Sequence, residues 1–178
     1  RIGGPEYAVA GHDDDTAVTQ MIQQGWDYVV FQDQSQQPWT VSGIKPALRS
    51  LAAKVTASGA KTMLFMTWAR SAAVAGTHHA HFRMRMAVSR YYEAHGEAEG
   101  AQVVPVGRAW ERAHRSSGVA LHSGDGSHPN VQGTYLAACS FYVALSGRSP
   151  VGLGLGGLSL DKADAAFLQQ VAWDTSLA

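Results

Sequence analysis

Apolar positions along this chain fall into short β-branched and aromatic runs separated by longer stretches of helical spacing. The run at residues 26–32, Trp-Asp-Tyr-Val-Val-Phe-Gln, is stopped by the polar stretch 33–38 and reads as a buried strand whose carboxyl end opens into a loop. Residues 61–67 read as a second buried strand. Residues 102–106 read as a third, with Pro105 at its end or near the sheet edge, because proline donates no ladder hydrogen bond. Residues 6–10 form a further short apolar run with the look of a strand. Asp13-Asp-Asp15 offers acidic caps to a helix over 16–24 that Gly25 ends, and 46–55 carries helical spacing up to Gly59. Residues 77–100 predict a long amphipathic helix, interrupted or capped at Gly96 and Gly100. After the third strand the chain reads as a loop as far as Asn130. A well-buried helix over 131–146 follows, then a flexible glycine-rich connector at 150–157 and a final amphipathic helix over 160–173.

Strands separated by helices predict an α/β fold, a three-layer α/β/α sandwich of flavodoxin-like type around a parallel sheet, with ligands bound outside the carboxyl ends of the strands. The informative loops are then those after Phe31, Met66 and Val106. At 178 residues, 46% of them hydrophobic, the chain suits one domain with a real core. Lys plus Arg and Asp plus Glu number 14 each, so the basic footprint of a nucleic-acid binder is missing. Apolar stretches fall well short of the roughly 20 residues that span a bilayer. The single cysteine, Cys139, sits in a small-residue helical run and reads as core. The chain opens at Arg1 without an initiator Met, so a removed leader and a secreted or periplasmic bacterial location fit, and the compartment stays open.

Asp125-Gly-Ser-His128-Pro-Asn carries the most specific chemistry. A histidine acting as general base needs an acceptor on its other ring nitrogen to fix the tautomer and stabilise the imidazolium. The three-residue spacing in a loop before a helix lets Asp125 fold back onto His128, with Asn130 as helix cap, although an ordinary Asp-Gly turn has the same spacing. His78-His-Ala-His81 could supply metal ligands, but adjacent imidazoles diverge around a helix start and no Cys or acidic triad matches them, so no metal is expected. Trp68 and Arg70, one strand over, suit a surface for a carboxylate or a sugar, with core packing an equal reading for Trp68. The glycines at 152–157 lack the preceding strand and the Lys-Ser/Thr of a phosphate loop.

The block from Asp125 to Ala138 resembles the last conserved block of the SGNH (GDSL-type) esterase and lipase superfamily, in which an Asp-x-x-His pair precedes the final helix. Residues 26–35, ending Gln-Asp-Gln-Ser, resemble the strand and loop that in this superfamily carry the oxyanion-hole residue. Thr67-Trp-Ala-Arg70 and residues 104–110 resemble the following segments. The resemblance implies His128 as general base, Asp125 as its orienting carboxylate, and Gln34 ahead of Gln32 as oxyanion donor where the family places Asn. It also puts Trp68, Arg70 and Ser35 near the substrate. The family's Gly-Asp-Ser nucleophile block does not occur in residues 1–178. The nucleophile is therefore expected upstream of Arg1, together with a first strand, and Ser35 and Ser71 are only fallback nucleophiles. The implied activity is hydrolysis of an acetyl or short-acyl ester of a carbohydrate or small molecule, without cofactor. The alternative is a non-catalytic binding domain that keeps the fold and has lost its nucleophile.

Overall fold

The computed structural model describes residues 14–33, 44–76 and 78–178. In chain order these form α1 (Thr16–Ile22), β1 (Tyr28–Phe31), α2 (Ile44–Ala57), β2 (Lys61–Phe65), α3 (Ala72–Ala75), α4 (His78–Glu99), β3 (Gln102–Val104), α5 (Val106–Ser117), α6 (Val131–Ser146) and α7 (Lys162–Ser176). The strands make one sheet in the order β1-β2-β3, with β1 and β2 parallel and in register from Tyr28 opposite Lys61 to Phe31 opposite Leu64. The expected α/β class with a parallel sheet is what forms. The apolar run at 6–10 lies outside the described residues. The chain divides into two compact units, one of residues 1–67 and 86–103 and one of 68–85 and 104–178.

In the first unit the core lies between β2 and α2. Met63 and Leu64 are buried on β2, and Ala47, Leu48, Leu51, Ala52 and Val55 form the buried stripe of α2 that packs on that strand. Asp15 caps α1 by accepting from the amides of Ala17 at 2.8 Å and Val18 at 3.4 Å. Gly96 does not interrupt α4. A Cβ there would lie 2.5 Å from the Val103 side chain, so the glycine lets the helix run close to β3. The helix stops instead before Gly100, whose φ of +59° suits glycine and few other residues.

The second unit is built on α5, α6 and α7, which pack against one another. Helix α5 corrects the expectation of a loop after the third strand. Its buried residues Val106, Ala109, Trp110 and Ala113 recur at helical spacing, and Pro105 stands at its N-cap, where a missing N–H costs nothing. That spacing was available in the sequence, but four charged residues from Arg108 to Arg115 obscured it. Asn130 caps α6 by accepting from the Gly133 amide at 2.9 Å, and Gly147 ends it at φ +66°. The connector at 150–157 is pinned rather than flexible. Gln169, 3% exposed on α7, accepts from the Gly152 amide at 2.9 Å and donates to the Leu153 carbonyl at 2.8 Å and the Tyr135 hydroxyl at 2.6 Å. No helix among the described residues is long and apolar enough to cross a membrane.

Gly133 is the tightest point of this unit: a Cβ would meet the Leu121 carbonyl oxygen and the Trp110 ring, both at 2.4 Å. Because one neighbour is backbone, Gly133→Ala is expected to cost about 1–3 kcal/mol of overpacking, read as a lowered midpoint in urea unfolding with an unchanged slope.

Candidate active site

The segment from Gly118 to Asn130 turns back on itself between α5 and α6. His122 and Pro129 form an antiparallel bridge, the Ser123 amide donates to the His128 carbonyl at 2.8 Å, and the Asn130 amide donates to the Leu121 carbonyl at 2.9 Å. Asp125 sits at the tip. Its Oδ1 accepts from the Ser123 hydroxyl at 2.8 Å and from the amides of Ser127 and His128, each at 2.9 Å. With that oxygen held by the turn, Oδ2 faces the imidazole, and the contact to His128 Nδ1 is 2.5 Å. A proton on Nδ1 donates to the carboxylate, which leaves Nε2 as the acceptor. Nε2 has no hydrogen-bond partner among the described residues, and the His128 side chain is 79% exposed.

Four donors on one carboxylate hold Asp125 well below the usual carboxylate range. The His128 hydrogen bond contributes most, followed by the amides of Ser127 and His128 and the Ser123 hydroxyl. Asp125 is thus an anion wherever a histidine base would operate.

The turn is held from one side by the loop after β2. Gly126 has φ +66°, and a Cβ on it would lie 2.4 Å from Ser71 Oγ and 2.5 Å from Val74 Cγ2, so only glycine fits. The Ser71 amide donates to the Gly126 carbonyl at 2.8 Å. Trp68 donates its indole N–H to the Ser127 carbonyl at 3.0 Å and stacks on Trp110 at 4.1 Å between centroids with the rings 5° apart. His122 meets the Trp110 ring edge-on, and its Nε2 donates to the Ala69 carbonyl at 3.0 Å. Burial pushes the His122 pKa down, against the carbonyl hydrogen bond, which favours the neutral ring.

Arg70 is half-buried beside this platform, its amide donating to Met84 Sδ at 3.4 Å and its carbonyl accepting from His81 Nδ1 at 2.8 Å. The side chains of His78 and His79 lie outside the described residues. Gln32 is exposed just past β1 in the other unit, while Gln34 and Ser35 lie outside the described residues. Cys139 is buried, and desolvation pushes its thiol up to about 11, so it is not a thiolate at neutral pH.

Three features around these residues had no place in the sequence reading. Ser123 completes the Asp125 turn, and its position two residues before an Asp-Gly is the pattern that could have shown it. Trp110 forms half of the indole platform. Asp33, lying between Gln32 and Gln34, is not a loop carboxylate but is 3% exposed, with the Tyr91 hydroxyl donating to its Oδ2 at 2.6 Å.

No family model matches the chain, and no curated protein matches it. Among solved structures, the chain is similar to a DUF4886 family protein from Bacteroides uniformis, with a TM-score of 0.73 at 20% identity over 90% of this chain and 66% of that one. It is also similar to a protein from Slackia heliotrinireducens provisionally assigned to the SGNH hydrolases, with a TM-score of 0.64 at 24% identity over 75% of this chain and 74% of that one. The chain therefore spans just under two thirds of the first protein and about three quarters of the second. These likenesses establish an SGNH-like α/β fold.

Because the folded-state pKa of Asp125 is depressed, the stability it contributes is full above the unfolded carboxylate value and is lost as pH falls through the folded one. The difference in melting temperature between wild type and Asp125→Asn is expected to narrow as pH falls below about 4. A gap that keeps its size from about pH 5 down to about pH 2 would contradict the assignment of donors to this carboxylate.

Proposed function

We propose that the chain carries the acid–base pair of an SGNH-type serine ester hydrolase acting on an acetyl or short-acyl ester of a carbohydrate or small molecule. The observation that carries this reading is the 2.5 Å contact between Asp125 Oδ2 and His128 Nδ1, which leaves Nε2 exposed as a proton acceptor. An SGNH-like fold with this pair in the loop before α6 agrees with it.

In the reaction, a serine hydroxyl of the Gly-Asp-Ser kind attacks the ester carbonyl carbon while His128 Nε2 takes its proton. Asp125 remains ionised and stabilises the imidazolium. The carbon–alkoxide bond then breaks, and the leaving alcohol receives the proton from Nε2, giving an acyl-serine. Water attacks that acyl group with His128 again as base, and the proton returns to the serine as the acid leaves. The side-chain amide of Gln34, ahead of that of Gln32, is the donor to the developing oxyanion. Trp68, Arg70 and Ser35 border the substrate.

The natural full-length protein is expected to hydrolyse p-nitrophenyl acetate and to be labelled by a fluorophosphonate probe. His128→Ala should lower kcat at least about a hundredfold, the contribution usual for a general base. Wild-type turnover in His128→Ala would remove this residue from the mechanism, and a folded full-length protein that neither turns over nor labels is the outcome of a non-catalytic binding domain.

A further inference from the structure

We infer that the substrate of this site carries a carboxylate on its alcohol portion, as in an acylated acidic sugar, and that Arg70 binds it; this rests on the ester-hydrolase reading above. Arg70 lies in the same compact unit as Asp125 and His128. It is bracketed in sequence by two residues bonded to the loop that carries them: Trp68 donates to the Ser127 carbonyl at 3.0 Å, and the Ser71 amide donates to the Gly126 carbonyl at 2.8 Å. Its own main chain is pinned on both sides. The amide donates to Met84 Sδ at 3.4 Å, the carbonyl accepts from His81 Nδ1 at 2.8 Å, and the preceding Ala69 carbonyl accepts from His122 Nε2 at 3.0 Å. The root of this side chain is therefore held beside the loop of the proposed base.

The guanidinium is charged at every working pH, and withdrawing a charge from water is unfavourable unless a counter-charge or hydrogen bonds compensate. Arg70 has neither. It is half-buried, its Nε is shut off from solvent without a hydrogen-bond partner, and no ion pair or hydrogen bond among the described residues uses its side chain. Other arginines of the same unit are already paired, Arg85 and Arg115 with Glu111 and Arg112 with Asp174. A planar fork of N–H donors with no carboxylate of its own is complementary to a carboxylate that arrives with the ligand. The acyl group of the proposed reaction is short and uncharged. The carboxylate therefore belongs to the alcohol, which His128 protonates as it leaves.

The test uses the full-length protein with two esters that differ in charge, p-acetoxybenzoate and its methyl ester, and takes kcat/KM for each relative to that ester's own rate of hydrolysis by hydroxide. Wild type is expected to favour the carboxylate about tenfold, the size of one charge-assisted contact. Arg70→Gln should bring that ratio to about one, with most of the change in KM, as for loss of a binding contact. A purely structural role for Arg70 would lower turnover of both esters alike and leave the ratio at its wild-type value, which overturns the proposal. The wild-type ratio tests the proposal even where Arg70→Gln does not fold, because a ratio of one or below overturns it and leaves the hydrolase reading standing. A wild type that turns over neither ester overturns the ester-hydrolase reading and this proposal with it.

Discussion

The Asp125 carboxylate accepts from two main-chain amides, one hydroxyl and one imidazole, and every one of these donors lies within three residues of it. An anion satisfied so locally needs no distant cation, and it can stand half exposed at a loop tip without losing its geometry. The division of labour between its oxygens matters most. Oδ1 closes the turn, so Oδ2 has one partner and the imidazole one orientation. Much of the second unit maintains the backbone that makes this possible: the His122 to Pro129 bridge, the glycine at 126 and the Asn130 cap that launches α6.

Support for the turn comes from aromatic rings rather than from charge. Trp68 reaches the Ser127 carbonyl through its indole N–H while its face lies flat on Trp110, which belongs to the amphipathic helix α5. A stacked pair buries apolar area and offers a polar edge, so it can brace a polar loop without leaving an unsatisfied group. Gly133 completes the arrangement by giving the Trp110 ring room against α6. Close packing at that position joins the core of the helices to the posture of the loop.

The first unit handles its loop end differently. At the end of β1 the restraint comes from Tyr91 and Tyr92, more than fifty residues away in sequence, which engage the main chain and the carboxylate of Asp33. Adjacent helix positions point about 100° apart, which lets one tyrosine enter the core and its neighbour lie at the margin. Both hydroxyls converge on one residue because the strand ends there. The two halves of the proposed chemistry are thus organised on opposite plans, one by local hydrogen bonds within a turn and the other by long-range phenol donors.

Those plans decide how much the sequence could tell. Strands β1, β2 and β3 were visible as β-branched runs, and α2, α4, α6 and α7 as helical spacing, because burial on a pleated or helical surface imposes its period on residue type. The Asp125 to His128 pair was legible for a related reason: donors and acceptor sit within one turn, so spacing and residue type nearly define the geometry. Helix α5 was hidden by its charged outer face, and Gly96 looked like a break because close approach of β3 is a fact of packing that a single glycine does not announce. The pinning of the connector by Gln169, the indole platform under Ser127 and the burial of Asp33 all join residues far apart in the chain. Such contacts depend on which faces the fold brings together, and that is decided only when the whole core packs. The sequence by itself determined most of the elements and the local turn that joins Asp125 to His128; the tertiary structure decided which side chains hold that turn in place and which carboxylate is kept inside.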